Sequence, residues 1–162
     1  IRLRNLLLEN GERFDVVDAV VAAQGRNPAR TAQAVRQLAA WITRPDWERI
    51  LPAYARCVRI IRSAGGTVAD NYQPLPGTEP AEVELYAALQ TAEQSLRQLG
   101  GKRTPDDVLN AFLPMIPAVD RFFEAVLVMV EDEAVRLNRL ALMARIAALA
   151  NGVADLSRLE GF

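Results

Sequence analysis

The chain has 162 residues, 51% of them hydrophobic and 24% charged, which is enough apolar surface for one packed core with room for an extension. A net charge of −1 excludes a uniformly basic nucleic-acid binder. With no histidine and a single cysteine, Cys57, the sequence also excludes a disulfide, most metal centres and the His-dependent catalytic triads.

Periodicity is helical throughout and no alternating run is long enough for a strand, so the expected fold class is all-α, a helical bundle. Ile1 stands where an initiator Met would, and IRLRNLLLEN is already amphipathic, so the chain is expected to begin inside a longer protein. A first helix over Arg2 to Glu9 stops at Asn10-Gly11. The second runs from Asp15, expected as its N-cap, to Gly25. Asn27-Pro28 supplies a cap and an N1 proline for a third helix through Trp41-Ile42, ended by Pro45.

Asp46 is the expected cap of the fourth helix, DWERILPAYARCVRIIRSAGG, with a kink at Pro52 and a stop at Gly65-Gly66. Cys57 lies on its apolar side as a buried small hydrophobe. GGTVADNYQPLPGTEP has many breakers and no period, which makes residues 65–80 a long surface loop. Pro80 opens a fifth helix ending at Gly100-Gly101, and Thr104-Pro105-Asp106-Asp107 is a strong start signal for a sixth, interrupted by Pro114 and Pro117. AVDRFFEAVLVMV then resumes the helical pattern. In the last helix Glu131, Asp132 and Glu133 form a start signal. Leu137, Leu140, Ala141, Ala144 and Ala148 make one apolar face and Leu142, Ile146 and Leu149 a second, so this helix is packed from two sides.

The small net charge conceals a division. Residues 1–64 carry 11 Arg against 6 Asp and Glu, a balance of +5, whereas residues 65–162 carry 8 Lys and Arg against 14 Asp and Glu, a balance of −6. All basic residues except Lys102 are Arg, a composition that suits RNA recognition and equally a GC-rich genome. In the fourth helix Arg49, Arg56, Arg59 and Arg62 recur along the side opposite Leu51, Tyr54, Val58 and Ile61, a cationic stripe that a phosphate backbone can follow. An ordinary solvated helix face is the competing reading of that stripe.

Trp41, Trp47 and Tyr54 are expected in the core, which leaves Tyr72 in the loop as the candidate for base stacking. Arg121, Arg136, Asn138 and Arg145 are further candidate RNA contacts, Asn138 through its amide. Arg139 falls between Met143 and Ile146 on the helical wheel and is expected to be partly buried in an ion pair with Glu131, Asp132 or Glu124. A catalytic carboxylate pair at Glu131 and Asp132 is disfavoured, because no nucleophile or metal ligand accompanies it.

FFEAVLVMVEDEAVRLNRLALMARIAALANGVADLSRLEGF closely resembles the C-terminal end of the β subunits of bacterial glycyl-tRNA synthetases. RLRNLLLENGERFDVVDAVVA, LPAYARCVRI and AEVELYAAL resemble the same family in the same order, so the likeness covers nearly the whole chain, most weakly at 66–79. Glu133-Ala134-Val135-Arg136 stands where the wider anticodon-binding fold has its Asp-Ala-Leu-Arg motif. The helix at Tyr54 to Ile61 departs from the family, which commonly has an Asn there.

The resemblance implies a helical segment at 1–45 that follows an absent upstream domain, and an all-α, DALR-like anticodon-binding domain at 46–162. It implies a tRNA-binding, non-catalytic C-terminal part of a glycine–tRNA ligase β subunit, with tRNA(Gly), the α subunit and the rest of the β chain as partners. Catalysis with ATP and magnesium would lie elsewhere in the parent enzyme, and this part would hold neither cofactor nor metal. A structural helical scaffold that docks other subunits without touching RNA is the alternative function. No apolar run is long enough to span a bilayer and no secretory leader opens the sequence, so a cytoplasmic location without a membrane partner is expected.

Overall fold

A computed structural model describes residues 2–162. Among these it contains eight α-helices and no strand, as the helical period requires: α1 (Arg2–Glu9), α2 (Phe14–Ala23), α3 (Pro28–Ile42), α4 (Trp47–Ser63), α5 (Pro80–Leu99), α6 (Pro105–Phe112), α7 (Ile116–Ala125) and α8 (Glu133–Ala147). Short 3₁₀ turns join α6 to α7 and close the chain after α8. None of the described helices is long and apolar enough to cross a membrane.

Helix α8 packs on α4, α5 packs on α7, and α6 bridges α5 to α3. Buried side chains from Leu7 to Leu159 form one connected core, so the segment at 1–45 shares its hydrophobic contacts with the rest of the chain. The C-terminal turn returns to α2. The Asp155 amide donates to the Ala19 carbonyl at 2.7 Å, and Gln24 Nε2 donates to the Val153 carbonyl at 2.9 Å. Trp41 is buried with its indole N–H donating to Asp106 Oδ1 at 2.8 Å, and the buried Tyr54 hydroxyl donates to the Ala147 carbonyl at 2.8 Å. Both aromatic residues are core, as expected, and Trp47 packs half-buried against it.

Start signals act at three helices. Asn27 accepts from the Arg30 amide, Thr104 and Asp107 form a complete capping box, and Asp132 accepts from the Val135 amide. Two expected caps differ. Asp15 is not the N-cap of α2 but lies in its first turn, 2% exposed, because its carboxylate gathers Arg13 and the amides of Val16 and Glu160. Asp46 makes no capping bond, since its carboxylate is held by Arg44. Helix α4 runs continuously past Pro52 and stops where Gly65 and Gly66 take φ of 106° and 85°, values that an L side chain rarely adopts.

The largest departure from the sequence reading is at VLVMV. Helix α7 ends at Ala125, and Val126 turns extended at φ −123°, ψ 131°. From there burial alternates, with Val126 and Val128 inward and Leu127 and Met129 outward. This alternation belongs to a non-helical strap, extended at Val126 and bent at Val128 and Met129. In α8, Leu140, Ala141, Leu142, Met143 and Ile146 are buried, which confirms packing from two sides, while Leu137 is 51% exposed.

Candidate nucleic-acid interface

The amphipathic pattern of α4 determines which of its side chains reach solvent. Ile50, Leu51, Ala53, Tyr54 and Cys57 are buried, whereas Arg49, Arg56, Arg59 and Arg62 are all exposed. Burial pushes the Cys57 thiol up to about 12, so it is inert packing rather than a nucleophile. Arg56 lies 3.8 Å from Asp120, a loose surface pair, with its guanidinium 5.7 Å from the Phe123 ring centre. Arg59 and Arg62 flank the Phe162 ring at 5.7 and 5.4 Å, within cation–π range. Among the described residues Arg49, Arg59 and Arg62 have no carboxylate within ion-pair distance.

The other candidates are engaged within the chain. Arg121 makes a forked pair with Glu84 on α5, and that guanidinium, chiefly through its hydrogen bonds, holds the Glu84 carboxyl below its ordinary range. Arg145 is half-buried, 3.2 Å from Glu93 Oε2 through Nε and 5.4 Å from the Tyr86 ring centre. Arg136, the arginine of Glu133-Ala134-Val135-Arg136, donates from Nη1 to the Val130 and Glu131 carbonyls at 3.0 and 3.1 Å, fastening the end of the strap to α8.

Two of the expected RNA contacts require correction. Tyr72 is not a solvent-facing stacking platform: it is 1% exposed, and its hydroxyl donates to Glu82 Oε2 at 2.6 Å. Burial, with the Glu82 carboxylate beside it, raises the phenol well above its ordinary range. The Asn138 amide is not free to read a base edge, because Nδ2 donates to the Gln73 carbonyl at 2.6 Å and Oδ1 accepts from the Gln73 amide at 3.1 Å.

Arg139 is partly buried in an ion pair, as its place on the wheel predicts, but its partner is Glu82 on α5 rather than Glu131, Asp132 or Glu124. Its Nε lies 2.8 Å from Glu82 Oε1 and its Nη1 donates to the Leu127 carbonyl at 2.7 Å, with the two side chains 13% and 4% exposed. Glu82 therefore joins the loop, α5 and α8 through one carboxylate, and Arg139 carries the connection on to the strap. No sequence signal marks it, since an acid in a first turn reads as an ordinary dipole partner. The sequence reading also missed Arg26, Arg30, Lys102 and Arg103, which lie in or beside inter-helix turns and share no helical face.

The match to known families falls on this assembly. The DALR anticodon binding domain matches residues 50–156, from the first turn of α4 to the C-terminal turn. The chain belongs to that family. It is also similar to the glycine–tRNA ligase beta subunits of Anaeromyxobacter dehalogenans, at 39% identity over 92% of the chain, and Ectopseudomonas mendocina, at 36% over 98%. A third relative, the glycine–tRNA ligase beta subunit of Desulforudis audaxviator, is 36% identical over 97%. The chain spans only 22 to 23% of the length of these relatives. In the DALR domain described here, the motif-like stretch at 133–136 forms the first turn of α8, and its arginine holds the strap.

Proposed function

We propose that this chain is the tRNA-binding, anticodon-binding C-terminal part of a glycine–tRNA ligase β subunit, and that the exposed face of α4 contacts the phosphate backbone. The observation that carries this reading is the exposure of Arg59 and Arg62 inside the matched anticodon-binding domain, with Arg49 one residue before it on the same helix, all three without a carboxylate within ion-pair distance. A phosphate strand supplies the negative charge that the fold withholds from them. In this reading residues 1–45 join the domain to the upstream β chain, and the α subunit, acting with ATP and magnesium in the cytoplasm, activates glycine. The chain positions tRNA(Gly) and performs no chemistry. Detectable glycine-dependent pyrophosphate exchange by the purified chain would overturn that part.

Replacing Arg49, Arg59 and Arg62 together with Gln is expected to weaken tRNA binding and to lower the log–log salt slope by roughly 0.7 to 0.9 per lost phosphate contact. An unchanged affinity and slope in a normally folded variant would return these residues to an ordinary solvated face. The exposed apolar side chains Leu127, Met129 and Leu137 favour a second reading, a scaffold that docks other parts of the ligase. Retained binding to those chains together with no affinity for tRNA would favour it.

A further inference from the structure

A second concentration of positive charge lies away from the α4 stripe. The turn between α2 and α3, the loop between α5 and α6, and the turn after α8 enclose an open cleft of about 700 Å³. Arg26, Arg30, Lys102 and Arg103 line it, and no Asp or Glu does. None of the four makes an ion pair among the described residues. The N-terminus of α3 opens beside them, with Asn27 as its cap, and adds the partial positive charge of a 15-residue helix. Four like charges in one concavity repel one another and focus a positive field there, an arrangement that an incoming polyanion relieves.

The cleft continues toward the stripe. Ala23, Asn151 and Gly152 line it and also line an adjacent groove of about 320 Å³, whose wall includes Arg62. Asp155 is the carboxylate on that groove, and its oxygens already accept from Ser157 and Arg158. From Arg62 through Gly152 to Arg26 and Lys102 the two grooves therefore form one connected surface built from four segments of the chain, with cations at both ends.

We propose that this cleft is a second phosphate-contacting subsite for RNA, extending the path that begins on the α4 stripe. The proposal rests on the RNA-binding reading above, but its residues are distinct from those that carry it. An RNA strand suits the site better than a protein segment, because four cations and no carboxylate line the cleft and its apolar lining is of small side chains, Val21, Ala22, Ala23 and Val153, without a deep apolar anchor point.

The test compares three variants of the chain with the unaltered one, each checked for an unchanged melting temperature: Arg26→Gln with Lys102→Gln, the triple Gln replacement at Arg49, Arg59 and Arg62, and all five together. Arg26 and Lys102 are exposed, so their replacement leaves the core untouched. Affinity for tRNA is measured across a range of salt. The cleft variant is expected to lower the log–log slope by roughly 1.5, two contacts' worth, and the five-fold variant to lose the sum of the two effects. A cleft variant that binds like the unaltered chain, beside a weakened stripe variant, overturns the subsite and leaves the RNA-binding reading intact. A weakened cleft variant beside an unchanged stripe variant keeps the cleft as an RNA contact but overturns the proposed path from the stripe. Millimolar inorganic phosphate that raises the melting temperature through Arg26 and Lys102, without any effect of these residues on tRNA affinity, would show a small-anion site and overturn the proposal, as would a loss confined to binding of the other ligase chains.

Discussion

Helices α4 and α8 pack against each other and both carry arginines at helical spacing, yet the two sets are in opposite states. On α8, Arg136, Arg139 and Arg145 are bound respectively to two backbone carbonyls, to Glu82 with the Leu127 carbonyl, and to Glu93. On α4, Arg49, Arg59 and Arg62 meet no carboxylate. The difference is in the neighbours. Helix α8 lies among acid-bearing elements that reach its sides, whereas among the described residues the α4 stripe has one carboxylate within ion-pair distance, Asp120 at a loose 3.8 Å from Arg56. Counting arginines along a helix therefore says little about availability, and counting the acids that can reach them says more.

The sharpest way to test this contrast is to remove Arg139. Its loss leaves Glu82 buried without its counter-charge, so Arg139→Ala is expected to destabilise the chain by about 3 to 5 kcal/mol, measured by denaturant unfolding. Tyr72→Phe removes only the second partner of the same carboxylate and is expected to cost about 1.5 to 3 kcal/mol. Equal, small losses for both would show that Glu82 is solvated in solution and would dissolve the distinction between the helices.

Acid should act next, through the junction of the C-terminal turn with α2. Burial favours the neutral form of Asp15, but the hydrogen bond from Arg13, the amides of Glu160 and Val16, and the Arg13 charge together hold its carboxyl below the usual range. Burial opposes ionisation of Asp155 as well, and Ser157 and Arg158 overcome it. Groups whose pKa is depressed on folding contribute stability that is complete above the unfolded value, near 3.9, and is lost as pH falls through the folded value. Stability is therefore expected to fall below roughly pH 4, and Asp15→Asn should flatten that part of the pH profile. An unchanged profile in that variant would remove Asp15 from the acid response.

Asn138→Ala breaks two hydrogen bonds to Gln73 and should cost roughly 1 to 3 kcal/mol, seen as faster amide exchange in residues 66–79 with little change in tRNA affinity. A selective loss of tRNA binding instead would restore Asn138 to a recognition role. The triple Gln variant of the α4 stripe should change the melting temperature least of all, and a marked drop would mean that those arginines, like the ones on α8, hold the fold.

The helices were legible because their boundaries are set by local chemistry: Asn27-Pro28, Thr104-Pro105 and Asp132 each supply a cap within three residues of the amide they serve. The burial of Arg139 was legible for a related reason, since its place between Met143 and Ile146 is a property of one helix. Its partner was not, because Glu82 lies 57 positions away and no periodicity links the two. Tyr72 misled for the opposite reason. A stretch full of breakers reads as a surface loop, and it is one, yet a single residue of it is anchored in the interior by a side-chain hydrogen bond. VLVMV also illustrates a limit of window-based reading. Five residues are too few to separate a helical period from an alternating one when apolar flanks continue both.

The carboxylate of Glu82 also orders events in time. Tyr72 is only ten positions away and can find it early, but Arg139 reaches it only when α8 has docked across α5. Until then Glu82 must remain hydrated, since burying it with a phenol alone is unfavourable. Closure of the 66–79 loop over its own helix is thus coupled to the docking of α8, and this pair is expected to form after the transition state. The kinetic signature of such a late contact is a change in the rate at which the native state opens, with the rate of its formation left nearly as it was.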